Sequence, residues 1–279
     1  MDKPHSVNSS ARDGARVAAL IPAWNPANAL RKTLESIAAQ PVNCEIFVVD
    51  DGSEPALELP PSLNGKPLHL VRMYPNQGIT AALNTGLARI MESGFEFISR
   101  HDCGDIDHPD RLRRQLAFLR EHEDVMLVGS SVSFGSSDGR VRFVFDAPGT
   151  QREVLRAMRY SAAVMHSSCL FRTQAFERVG TYSERFPHAE DYELFFRMLA
   201  DCQIRNIADV LVDASYNVEG ISIRHRRVSL LSRLKIQLRH FDPLSVHSYL
   251  GVLQTLILNV VPYHLVSYIK SKRSAYRGH

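Results

Sequence analysis

Two short buried-looking runs, Val17 to Ile21 and Glu45 to Val49, flank a stretch whose apolar residues recur with helical spacing. That stretch, Asn28 to Gln40, carries Leu30, Leu34, Ile37 and Ala38 at i, i+4, i+7 and i+8, one face of a helix. The strand–helix pattern then repeats. Leu68 to Met73 reads as a strand, Ile79 to Ser93 as a helix with Ile79, Leu83, Leu87 and Ile90 inward, and Phe95 to Ser99 as a strand after a Gly94 stop. Such alternation predicts a mainly parallel α/β sheet with helices on both faces. Ligands of such sheets sit at the carboxyl ends of the strands, where Asp50, Asp51, Asp102 and Asp105 fall. Farther on, the pattern predicts an Arg-rich helix over Asp110 to Glu121, a strand over Val125 to Phe134, and an edge or hairpin strand over Val141 to Phe145. Glu153 to Met158 and Asp191 to Ala200 read as helices, and Ser168 to Arg172 as a short strand.

Composition separates the chain into three parts: a polar lead (1–16), a main body (17–223) and a basic tail (224–279). From Arg224 onward there are ten Lys or Arg against one acid, Asp242, so the tail carries +9 and the rest −6 of the net +3. That asymmetry suggests a basic surface for an anionic partner beside an acidic catalytic body. Pro243 to Ile269 holds no charged residue, yet Gln254, Asn259, Pro262 and His264 interrupt it. Ser248, Gly251, Thr255 and Asn259 form a small-polar stripe opposite Leu250, Leu253, Leu256, Ile257 and Val260. This predicts an interfacial amphipathic helix, with Lys270, Lys272, Arg273 and Arg277 available to anionic headgroups; packing on the body or on a second subunit is the competing reading. A lipid surface fits such a tail better than nucleic acid. The four cysteines are dispersed, and Val17 to Ile21 is too short for a signal-peptide core, so a reducing cytoplasmic location is expected, with the tail at the inner face of the membrane.

Three acidic constellations carry the chemistry. Asp50-Asp51-Gly52-Ser53 follows a buried strand, and adjacent carboxylates there call for a donor ligand or a cation, although Asp-Gly is also an ordinary turn dipeptide. His101-Asp102-Cys103-Gly104-Asp105 spaces two carboxylates so that a divalent ion and nucleotide phosphates fit between them, or so that one caps the next helix, a duty Asp107 or Asp110 performs more naturally. His188 to Glu193 places three acids at a helix start, either as a general base or as an offset to the helix dipole.

Together with further blocks these residues resemble the inverting glycosyltransferases of family 2, which have a GT-A fold. The blocks are Pro22-Ala23-Trp24-Asn25, Ser36 to Gln40, Val48 to Ser53, Asn76-Gln77-Gly78, Leu83 to Gly86, Asp102 to Ile106 with Pro109, Arg111 and Gln115, His166 to Arg172, and Val179 to Arg197. The resemblance runs from Val17 to about Ser222. It implies a Rossmann-like sheet and single-displacement transfer of a sugar from a nucleotide-diphosphate donor to an acceptor hydroxyl, on a lipid-linked or surface glycan. It also implies site roles: Asp191 as catalytic base; Pro22, Trp24, Asn25, Asp50, Asp51, Asn76, Gly78, Asp102 and Arg111 around the donor; His166 and Glu190 shaping the pockets.

Gly104 stands where the family carries the second Asp of its D-x-D metal motif. Mg or Mn held by Asp102 and Asp105 is still the expectation, glycine's freedom easing the backbone shift. Glu219 offers a further oxygen ligand, and Arg224, His225, Arg226 and Arg227 offer an alternative answer to pyrophosphate charge. Two other functions compete. A sugar-nucleotide pyrophosphorylase would need a Gly-rich phosphate loop, absent from Pro22 to Pro26; a metal-less scaffold that only binds sugar nucleotides would not need Asp191.

Overall fold

The computed structural model describes residues 15–135, 141–215 and 225–261. Strand β1 (Val17–Ala23) is buried along its whole length. It pairs in parallel with β2 (Cys44–Asp51) from Val17↔Cys44 to Ala23↔Asp50 and, on its other side, with β5 (Phe97–Arg100). Helix α1 (Ala29–Ala38) crosses between β1 and β2 and buries the expected stripe of Leu30, Leu34, Ile37 and Ala38. β3 (Ser62–Leu63) folds back on β4 (Lys66–Met73), which joins β2 in parallel, and α2 (Ile79–Glu92) returns the chain to β5.

The second half is mixed. β6 (Ile106–Asp107), α3 (Arg111–Glu121), β7 (Val125–Gly135), β8 (Val141–Phe145) and α4 (Gln151–Met158) lead to a 3-10 turn (His166–Ser168) and β9 (Leu170–Arg172). α5 (Thr173–Val179), α6 (Glu190–Asp201), β10 (Gln203–Ser215), α7 (Arg226–Arg239) and α8 (Val246–Val260) complete the described chain. The sheet order is β3-β4-β2-β1-β5-β9-β7-β10-β6, with β8 paired to β7 as an antiparallel edge strand. β9 is antiparallel to both β5 and β7, so β7 and its parallel neighbour β10 run in the direction of β5. The carboxyl ends of β1, β2, β4, β5, β7 and β10 therefore share one edge, the edge where an open α/β sheet takes its ligand.

Alternation along β1 divides the interior. Ala18 and Leu20 face one core with α2 residues Leu83, Leu87 and Ile90 and with α4, α5 and α6. Val17, Ala19 and Ile21 face the other with Leu34 and Ile37 of α1 and Leu112, Leu116 and Leu119 of α3. Helices thus cover both faces, as the strand–helix alternation requires.

Where the sequence expectations miss, local physics explains it. β10 has no clean period-2 pattern because bulges at Ile207/Val210 and Val210/Val212 shift its register against β7 and place Asp209 and Asp213 within it. Ser168 is not in a strand; its 3-10 turn precedes β9. The tail is not a separate layer either, since Ile236 of α7 is fully buried in the same core as α6. The four cysteines are free thiols.

Candidate active site

The loops after β1 and β2 are tied to each other. Asn25 N donates to Ser53 Oγ at 2.9 Å, and Glu54 N donates to Asn25 Oδ1 at 2.9 Å. Trp24 stands 59% exposed beside this tie, while Pro22 is buried within β1 and offers no open surface. Asp50 is wholly buried: Ser53 N and Leu57 N donate to its two oxygens, and Arg72 of β4 adds an ion pair at 2.9 Å. Burial opposes its charge, but these donors outweigh it and hold the carboxyl below its ordinary value. Asp50 thus ties the turn after β2 to β4.

Asp51 points to the start of α2. Gln77 N and Gly78 N donate to its oxygens at 2.8 Å, and Asn76 Nδ2 donates at 2.9 Å. One carboxylate thus collects the N–H groups that lead into α2, and Asn76 and Gln77 stay exposed beside it.

The β5 end holds the charge centre. Arg100, buried and adjacent to the acids, lies with Nη1 2.6 Å from Asp102 Oδ1, whose side chain is 49% exposed. The sequence reading ended this strand at Ser99 and passed over Arg100, although a cation closing an apolar strand beside two acids is a visible signal. Gly104 has φ +100°, a conformation that favours glycine, and its N–H donates to Thr33 Oγ1 at 2.9 Å. That turn brings Asp105 inward, where Ser215 N at the end of β10 donates to Oδ1 at 3.3 Å. Burial, with Asp102 beside it, pushes Asp105 up to about 7.

Helix α6 opens at the same place with Glu190 and Asp191 in its first turn. Burial and then the Asp191 charge push Glu190 up to about 7. Asp191 is raised by burial, against a 2.7 Å hydrogen bond from Tyr192 N and the pull of the Arg100 charge. His166 Nε2 lies 2.7 Å from the Tyr182 hydroxyl, and burial with the nearby Arg100 charge holds His166 well below its usual value, so it is neutral. Arg100 Nε and Glu190 Oε2 are buried with no hydrogen-bond partner among the described residues.

Arg111 does not reach this site. It has no exposed surface; its guanidinium pairs with Asp107, donates to Arg100 O at 3.1 Å, lies 3.2 Å from His101 Nδ1 and bonds Gln115. Asp107 is therefore spent on Arg111 and not on capping α3; burial opposes its charge, but Arg111 and then His101 lower it to about 2. Asp110 sits at the N-cap without a side-chain cap bond. Arg111 instead braces the strand end that presents Arg100 and Asp102. His225, Arg226 and Arg227 lie at the start of α7, and Glu219, Arg224, Lys270, Lys272, Arg273 and Arg277 lie outside the described residues.

Among the described residues no group of three or more His, Cys, Asp or Glu surrounds a metal position. The Asp102 charge nevertheless adds to burial in raising Asp105, a repulsion that a cation relieves, and Mg or Mn commonly takes one or two carboxylates with the remaining ligands from phosphates and water. The pair fits an ion shared with a diphosphate and not a protein-only cage.

The chain is similar to known glycosyltransferases in sequence and in fold. The amylovoran biosynthesis glycosyltransferase AmsE of Erwinia amylovora is 28% identical over 222 residues, covering 75% of this chain and 81% of AmsE. S. aureus TarS 1-349 in complex with UDP-GlcNAc superposes with TM-score 0.61 at 18% identity, over 86% of this chain and 71% of that one. The mannosyltransferase PcManGT from Pyrobaculum calidifontis, in complex with GDP-Man and Mn2+, gives TM-score 0.58 at 16% identity over 94% and 75%. At these identities the solved structures speak for the GT-A-like fold alone. The sequence profile of Glycosyl transferase family 2 matches residues 18–180, and the chain belongs to that family.

Proposed function

We propose that this glycosyltransferase moves a sugar from a nucleotide-diphosphate sugar to an acceptor hydroxyl with inversion at the anomeric carbon. The observation that carries the reading is the convergence of Asp191, Glu190, Asp102 and Asp105 around buried Arg100 at the shared strand edge. Trp24 and the Asn76–Gly78 segment line the nucleotide side, the segment being held by Asp51. Asp102 lies on the ribose and diphosphate side.

Asp191 accepts the proton of the acceptor hydroxyl, whose oxygen attacks the anomeric carbon as the bond to the diphosphate oxygen breaks. A base raised toward neutrality is well matched to that transfer. The nucleoside diphosphate leaves with the bonding electron pair, and in-line attack inverts the carbon. Asp102 and Asp105 would hold Mg or Mn, which neutralises diphosphate charge when bound. Neutral His166, Tyr182 and Glu190 shape the acceptor side. The similarity to an amylovoran biosynthesis glycosyltransferase supports a polysaccharide as the product class, and a lipid-linked or surface glycan is the acceptor class of this proposal.

Thermal unfolding across a panel of uridine, guanosine and thymidine diphosphate sugars tests the donor class, because a ligand that binds only the native state raises the transition temperature. One nucleotide series should stabilise the protein. A panel that leaves it unmoved would remove the reading.

A further inference from the structure

Helix α8 packs inside out. It buries Ser248, Gly251 and Thr255 and leaves Tyr249, Leu250, Leu253, Leu256, Ile257 and Val260 about half or more exposed. A helix on a soluble protein ordinarily buries its apolar stripe, so this orientation needs a cause. Close approach provides one: a Cβ on Gly251 would fall 1.8 Å from Arg159 O, so only glycine lets α8 lie against the end of α4. Polar contacts then lock the orientation. Asp242 N donates to Ser248 Oγ at 3.2 Å, Arg226 of α7 donates to Leu258 O at 2.6 Å, and the Tyr160 hydroxyl lies 2.7 Å from His247 Nδ1.

We infer that α8 and the basic residues around it form a docking surface for an anionic lipid bilayer. Charge chooses between a membrane and a second copy of this chain. Between residues 225 and 261 the segment carries five Lys or Arg against one acid, so apposing two copies sets like charge on like charge, whereas anionic headgroups neutralise it. α7 adds exposed Leu231 and Leu238, seven residues apart on one side, together with Arg227, Lys235 and Arg239. The surface is coupled to the catalytic helix. Ser232 Oγ donates to Pro187 O at 3.0 Å and the Arg233 guanidinium lies over the Tyr192 ring, next to Asp191. Binding here would hold the active-site edge near the bilayer, but the inference does not depend on which reaction the site performs.

Cosedimentation of the full chain with vesicles tests it. The protein should pellet with phosphatidylcholine–phosphatidylglycerol vesicles at low salt, stay free with phosphatidylcholine alone, and be released by added salt. Leu253→Gln with Ile257→Gln keeps the charge and changes only exposed side chains. It should weaken vesicle binding about tenfold or more while leaving nucleotide-sugar stabilisation and unfolding unchanged. The proposal falls if the wild type ignores anionic vesicles at low salt, or if the double variant binds them as the wild type does. It falls equally if the face proves to be a dimer contact, seen as a dimer that the double variant dissociates and that does not bind vesicles.

Discussion

Replacing Arg111 with Met separates bracing from donor binding. Arg111 is fully buried, and Asp107 beside it is 6% exposed, so the variant leaves a carboxylate in the interior without its main cation. Breaking a buried pair from one side costs roughly 3–5 kcal/mol, a large share of the 5–15 kcal/mol typical of a domain. For a chain of this size that corresponds to a transition temperature lower by roughly 6–20 °C. The pH dependence should also change sign. In the wild type Asp107 lies below its unfolded value, so its contribution is present above the ordinary carboxylate range and is lost as pH falls toward about 2. In the variant burial dominates, the Asp107 carboxyl rises, and stability is lost as pH increases through and above the carboxylate range. Urea unfolding at about pH 5 and about pH 7 reads both effects. Arg111→Met with Asp107→Asn should recover much of the stability, because the unpaired charge is gone. A single variant that kept wild-type stability but lost donor affinity would refute the bracing role and return Arg111 to the donor.

Asp51→Ala removes the acceptor of three bonds from Asn76, Gln77 and Gly78 and should cost roughly 1.5–3 kcal/mol for the first of them alone, with weaker donor binding by calorimetry. Unchanged stability would show that the α2 start holds without it. Because burial raises Asp191, the acidic limb of the rate profile should lie above the ordinary carboxylate range, turnover falling as pH drops through it. A limb at the ordinary aspartate value would count against Asp191 as base. Asp102→Asn removes the like charge that adds to the burial of Asp191 and should move that limb to lower pH. A limb that does not move would uncouple them.

The first half of the fold was legible because β1, β2 and β4 end in strand-end acids or turns and α1 and α2 carry clean stripes; all four apolar residues of the α1 stripe lie on its buried face, which Thr33 completes. β10 was not, because a bulged strand loses the period that betrays it, and the two-residue β3 and β6 carry no period at all. At the site, the cluster of acids was visible as residue types, but the use of each carboxylate depends on contacts distant in sequence. Asp50 meets Arg72 and Asp105 meets Ser215, and nothing in the local motif distinguishes these from a carboxylate facing ligand. The stripe of Ser248, Gly251 and Thr255 was readable, whereas which side of α8 it faces was set by Arg159 in α4's trailing turn, far away in the chain.

Release of nucleoside diphosphate from the stabilising nucleotide sugar, followed with wild type and Asp191→Asn and with and without chelator, tests the central claim most directly. The substitution keeps the shape of the side chain and removes its basicity. Turnover should fall about 100-fold to 10,000-fold while donor affinity stays nearly constant, and chelator should slow the wild type until Mg or Mn is restored. Near wild-type release by Asp191→Asn would contradict the assignment of the base, and with it the account of how this site transfers a sugar.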